Sequence, residues 1–109
     1  MKPLRLMAAA TLCCVAVASQ AADPPSKIAL KAGCTVCHSP NKKIIGPAFR
    51  DVAAKYSGRA DAIAMLAKQV RKGSTGVWGT AAMVPNDPAK ISDADLKAVL
   101  TWVLKTPPA

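Results

Sequence analysis

Cys34-Thr35-Val36-Cys37-His38 is the stretch of this chain best equipped for chemistry. Its C-x-x-C-H pattern is the attachment signature of a c-type haem. On a helical turn, positions i, i+3 and i+4 share one face, so both thiols and the imidazole can point the same way. Each thiol can then add to one haem vinyl group, and His38 can lie under the iron as its proximal ligand.

The other side of such an iron can be sought by elimination. His38 is the only histidine, which excludes bis-His ligation within one molecule. Of the four methionines, Met1 and Met7 belong to an N-terminal segment expected to be removed, leaving Met65 and Met83. Met65 sits between Ile63 and Leu66 in a helical pattern, where a methionine ordinarily fills a gap at the core edge. Met83 lies in irregular sequence about 45 residues after His38, where the chain can fold over the opposite haem face, and is the favoured ligand. A His38/Met83 pair is coordinatively saturated and suits electron transfer better than oxygen or peroxide chemistry.

These residues need elements to position them, and the first question is where the domain starts. Lys2 and Arg5 precede an apolar run from Leu6 to Ala18, followed by Ser19-Gln20-Ala21. That pattern reads as a secretory signal peptide over residues 1–21, cleaved after Ala21 or Ala22. The run is too short for a bilayer span, which needs about 20 residues. Cys13 and Cys14 would leave with it, and the residues before them do not make a lipobox. Cys34 and Cys37 are then the only mature thiols. The domain, 22–109, keeps thirteen basic residues against six aspartates and no glutamate, a net charge of about +7. Such a balance favours anionic partner proteins and salt-sensitive encounters. Nucleic acid is not expected, because basic and aromatic residues are not interleaved.

The mature domain is small, rich in alanine, and has only Phe49, Tyr56, Trp78 and Trp102 as aromatics. A large apolar cofactor at its centre would make up the missing core. No β-branched alternation suggests a strand, and four helices are expected. The first opens at Asp23-Pro24-Pro25 and runs towards Gly33; the second runs from Pro47 to Tyr56. The third starts near Ala60, carries the stripe Ile63, Leu66, Ala67 and Val70, and ends at Gly73. The fourth begins at Ser92, where Ser92-x-x-Asp95 resembles a capping box, and carries Leu96, Val99, Leu100 and Val103. About eighteen residues, Ser74 to Ile91, separate the last two helices and contain Trp78 and Met83, which marks a functional loop.

Ile45-Gly46-Pro47-Ala48-Phe49, Gly73-Ser74-Thr75-Gly76-Val77-Trp78-Gly79 and Met83-Val84-Pro85-Asn86 follow the C-x-x-C-H motif in that order. Together they resemble the class I monohaem cytochromes c, specifically the short bacterial cytochrome c-551/c-552 family, over essentially the whole mature chain. The resemblance implies an all-α fold of about four helices wrapped around one haem c attached through Cys34 and Cys37. It also implies a monomeric periplasmic electron carrier, not an enzyme, that serves a nitrite reductase or a terminal oxidase. Residue by residue, it implies that the Pro47 carbonyl accepts a hydrogen bond from the His38 ring, that Trp78 donates to a haem propionate, and that Asn86 hydrogen-bonds near the Met83 sulfur. Family members often place proline on both sides of the methionine, where this chain has Ala82 and Val84. They often place a basic, propionate-binding residue where Gln69 stands, so Lys68 or Arg71 is a candidate substitute. Some relatives have an aromatic where Ala29 stands, so the contact between first and last helices is expected to rest more on Trp102. Lys31, Lys42 and Lys43 are candidates for the docking face.

Three other readings compete. A thiol–disulfide oxidoreductase needs a βαβ context that is missing and leaves His38 and the methionine loop unexplained. A structural zinc site falls one ligand short with two cysteines and one histidine. A haem-based sensor or peroxidase-like enzyme would require Met83 to be a labile ligand or none.

Overall fold

The computed structural model describes residues 22–109 and, nearer the N-terminus, residues 3, 10 and 12–16. Most of the expected signal peptide, including Lys2, Arg5 and Ala21, lies outside the described residues. Cys13 and Cys14 are described and carry free, exposed thiols.

Among the described residues, four α-helices and one short 3-10 turn make up the regular structure: α1 (Pro25–Lys31), the turn Cys34–Val36, α2 (Phe49–Tyr56), α3 (Ala62–Lys72) and α4 (Asp93–Leu104). Among the described residues, extended pairing is limited to two isolated bridges, His38 with Lys43 and Ser74 with Met83. The all-α expectation holds.

Each helix boundary has a local cause. Pro25 occupies the first turn of α1, where its missing N–H costs nothing, but α1 ends at Lys31, before Gly33. The second helix starts at Phe49, two residues after the expected Pro47. Ala48 is extended there, and the Pro47 carbonyl faces the His38 ring instead of opening the helical ladder. Ser92 caps α4 by accepting the Asp95 backbone N–H at 3.2 Å, and Asp93 and Asp95 add negative charge at the positive end of its dipole.

α4 is the element on which α1, α2 and α3 all pack. It buries Leu96, Val99, Leu100 and Val103, each contributing roughly 1.5–3 kcal/mol on removal from water. Opposite them stand Ile28 and Ala29 of α1, Phe49, Val52 and Tyr56 of α2, and Ala62 and Leu66 of α3. Ala29 is fully buried. Trp102 makes its ring contact with Phe49 of α2, edge-on at 5.5 Å between centroids, and so ties α4 to α2. No helix among the described residues is long and apolar enough to cross a membrane.

Candidate functional site

The C-x-x-C-H stretch forms a tight turn and not a full helix. Cys37 N–H donates to Cys34 O at 3.2 Å, and His38 N–H donates to the same oxygen at 3.0 Å. One carbonyl thus holds both residues, which brings Cys34, Cys37 and His38 to the wall of a single cavity of about 380 Å³. Burial pushes the Cys34 thiol up from the ordinary cysteine range, while the Lys90 ammonium works weakly against that.

His38 is held from three directions. Its Nδ1 donates to the Pro47 carbonyl at 2.8 Å. A carbonyl can only accept, so Nδ1 carries a proton, which leaves Nε2 as the ring nitrogen available to a metal. Phe49 stacks on the ring at 5.3 Å and 18°. Gly46 passes so close that a Cβ there would lie 2.6 Å from His38 Cε1. The Gly46 N–H is itself fixed on Cys37 O at 2.7 Å.

Met83, Trp78, Pro47 and Asn86 line the same cavity as Cys34, Cys37 and His38. All seven residues expected at the site therefore come together, although Cys34 and Asn86 are far apart in sequence. Met65, the alternative methionine, is not on the cavity wall; it packs half-buried against the core. Met83 is placed by a two-way backbone exchange with Ser74, N–H to O in each direction at 3.1 and 2.8 Å. Gly73 makes that exchange possible. Its φ of 82° suits glycine, and a Cβ would lie 2.6 Å from Met83 O. Trp78 meets Tyr56 edge-on at 6.4 Å, and Lys55 Nζ lies 5.2 Å from the Trp78 ring centroid. The Asn86 side chain donates to Val84 O at 2.9 Å, which braces the loop just after Met83.

One basic assignment changes. Arg71 directs its guanidinium to Asn86 O, Ile91 O and Asp93, so it does not replace a cation at Gln69, which lines the cavity itself. Lys31 is exposed and paired with Asp23 at 2.7 Å, and Lys90 stands on the cavity wall near Cys34. Nothing in the sequence marks these pairings. Only the Gly46-Pro47 dipeptide, a turn signal, hinted at the close approach to His38.

The donor set and walls fit a haem. Two free thiols, an oriented imidazole and a thioether share the cavity, and the core residues Phe49, Val52, Leu66, Leu96, Val99, Leu100 and Val103 also form its walls. The hydrophobic core is built around this space, so a flat apolar group there completes it.

The family model described as cytochrome c matches residues 23–107. Cytochrome c2 of Rubrivivax gelatinosus is 54% identical over 83 residues, covering 76% of this chain and 98% of that protein. Cytochrome c-551 of Pseudomonas aeruginosa is 43% identical over 107 residues, covering 95% and 97%. The crystal structure of cytochrome c552 from Nitrosomonas europaea superposes with a TM-score of 0.70 at 43% identity, covering 75% of this chain and 99% of that one.

Proposed function

The chain belongs to the cytochrome c family, and from that premise we propose a periplasmic one-electron carrier in which His38 and Met83 would ligate the iron of a covalently bound haem c. Residues 1–21 are its export signal and 22–109 its mature domain. The observation that carries the proposal is the convergence of both thiols, His38 and Met83 on one apolar cavity.

Bound there through Cys34 and Cys37, the haem supplies an Fe(II)/Fe(III) couple. The protein's own part is positional. The Pro47 carbonyl fixes the His38 tautomer and raises the basicity of Nε2. Phe49 and Gly46 keep the ring from turning. Ser74 and Gly73 hold Met83 on the cavity wall. Aliphatic side chains from three helices exclude water, which keeps reorganisation on electron transfer small. Trp78, on the same wall, is the propionate donor, and Asn86 supports the Met83 segment through Val84.

Electrons pass to an acidic partner across the cavity mouth. Val36, Ile45, Val77 and Val84 are large exposed apolar residues that also line the cavity, exposed Lys90 stands on its wall, and exposed Lys43 bridges to His38 with Lys42 beside it in the chain. A nitrite reductase or a terminal oxidase suits such a face, and the carrier works as a monomer. Two measurements test the proposal. Haem should stay with the periplasmic protein through acidic acetone extraction, and electron transfer to an acidic redox partner should slow as salt rises. A colourless, processed protein from cells able to attach haem would refute the first part. Salt-independent rates would refute the second.

A further inference from the structure

Arg71, in the last turn of α3, reaches under the segment that follows Met83. Its side chain is 20% exposed, and Nη1 donates to two carbonyls, Asn86 O at 3.2 Å and Ile91 O at 2.8 Å, while Nη2 pairs with Asp93. One residue earlier, Val70 O accepts the Asn86 N–H at 2.9 Å. The stretch between the two carbonyls is a closed turn, in which Lys90 and Ile91 both donate to Asp87 O and Asp87 Oδ1 also accepts the Lys90 N–H. Arg71 therefore clips the two ends of one rigid turn to the end of α3.

Met83 pairs directly with Ser74 and precedes this clip in the chain, so both anchors of its segment come from the C-terminal end of α3 and the residues just after it. Its immediate neighbours, Ala82 and Val84, are exposed and impose no fixed φ. Pro85 and the Asn86 bond to Val84 O stiffen the stretch just after Met83, and its place over the cavity then depends on what holds its ends. We infer that Arg71 is a positioning residue for Met83: by pinning Asn86 and Ile91 to α3 it limits how often the Met83 segment lifts from the cavity. Asp93 contributes little, because its carboxylate is 91% exposed. The two carbonyl bonds carry the effect, and the planar, always charged guanidinium suits two acceptors and a carboxylate at once. The anchoring stands independently of what Met83 binds; its consequence for iron rests on the proposed Met83 ligation.

Amide hydrogen exchange on the haem-loaded protein tests the anchor without reference to the iron. In Arg71→Gln, the Asn86 N–H should exchange at least about tenfold faster relative to the core amide of Leu100. Arg71→Lys should fall between the two, and Asp93→Asn should match the wild type. If Asn86 and Leu100 speed up equally, Arg71 only supports global stability and the inference fails; it also fails if neither changes. Should Arg71→Gln not fold, the Arg71→Lys comparison decides by the same criterion. A second readout is the rate at which imidazole enters the ferric protein. It should rise about tenfold in Arg71→Gln and resist change with low denaturant, as local opening does. If Met83→Ala binds imidazole no faster than wild type, the ligand assignment is wrong, while the exchange data still judge the anchor.

Discussion

Gly46 and His38 are in contact that only a glycine permits: a side-chain carbon on Gly46 would sit 2.6 Å from Cε1 and 2.9 Å from Nδ1 of the imidazole. The contact explains why the backbone can run from Gly46 directly to the Pro47 carbonyl that receives the Nδ1 proton. The backbone at Gly46 acts as one wall of the histidine's slot and Phe49 stacks on the ring.

Gly46→Ala should therefore push the ring off its hydrogen bond or displace the loop. We expect a loss of roughly 1–3 kcal/mol of stability, the usual cost of overpacking, together with a lowered affinity of His38 for iron. Denaturation of the haem-loaded protein measures the first, and the pH at which His38 leaves the iron measures the second. Unchanged values for both would mean that the slot is soft.

The methionine side has a matching close approach at Gly73, whose absent Cβ leaves room for Met83 O at 2.6 Å. Gly73→Ala would add positive-φ strain to that collision and break the Ser74–Met83 exchange. We expect a loss of about 1–3 kcal/mol, with the methionine–iron signature weakened while His38 ligation persists. Loss of both ligands together would instead indicate general unfolding.

Much of this was legible before any coordinates. The helical stripes of α3 and α4, the Ser92 cap and the C-x-x-C-H spacing are local patterns, and local patterns survive in the structure. The sequence favours Met83 over Met65 because a helical stripe already explains Met65, which packs on the core. What the sequence concealed are contacts between distant backbone atoms and side chains. Arg71 looked like a cation for the haem because nothing in its neighbourhood marks Asn86 O and Ile91 O, 15 and 20 residues on, as its acceptors. The two-residue delay of α2 has the same origin: Pro47 is a good helix starter locally, but its carbonyl is engaged by His38.

Acid should loosen α1. Asp23 is held below the usual carboxylate range by hydrogen bonds to Lys31 and then Lys27. A carboxyl whose folded pKa is depressed contributes stability that is present above its unfolded value, 3.8, and disappears as pH falls through the folded one. Amide protection in α1 should drop below about pH 4 in the wild type. Asp23→Asn should show weaker protection at neutral pH and no such drop. The pair is exposed, so the effect should be small and should shrink in high salt. A drop of equal size in Asp23→Asn would assign the acid sensitivity to another group.

On the proposed reading, His38 and Met83 would both ligate the iron of one haem held on Cys34 and Cys37. The most direct measurement is the absorption spectrum of the ferric Met83→Ala protein after covalent haem attachment has been verified by acidic acetone extraction. The account predicts that the haem stays on Cys34 and Cys37 while the low-spin methionine–iron spectrum of the wild type disappears. A Met83→Ala spectrum identical to the wild type would contradict it.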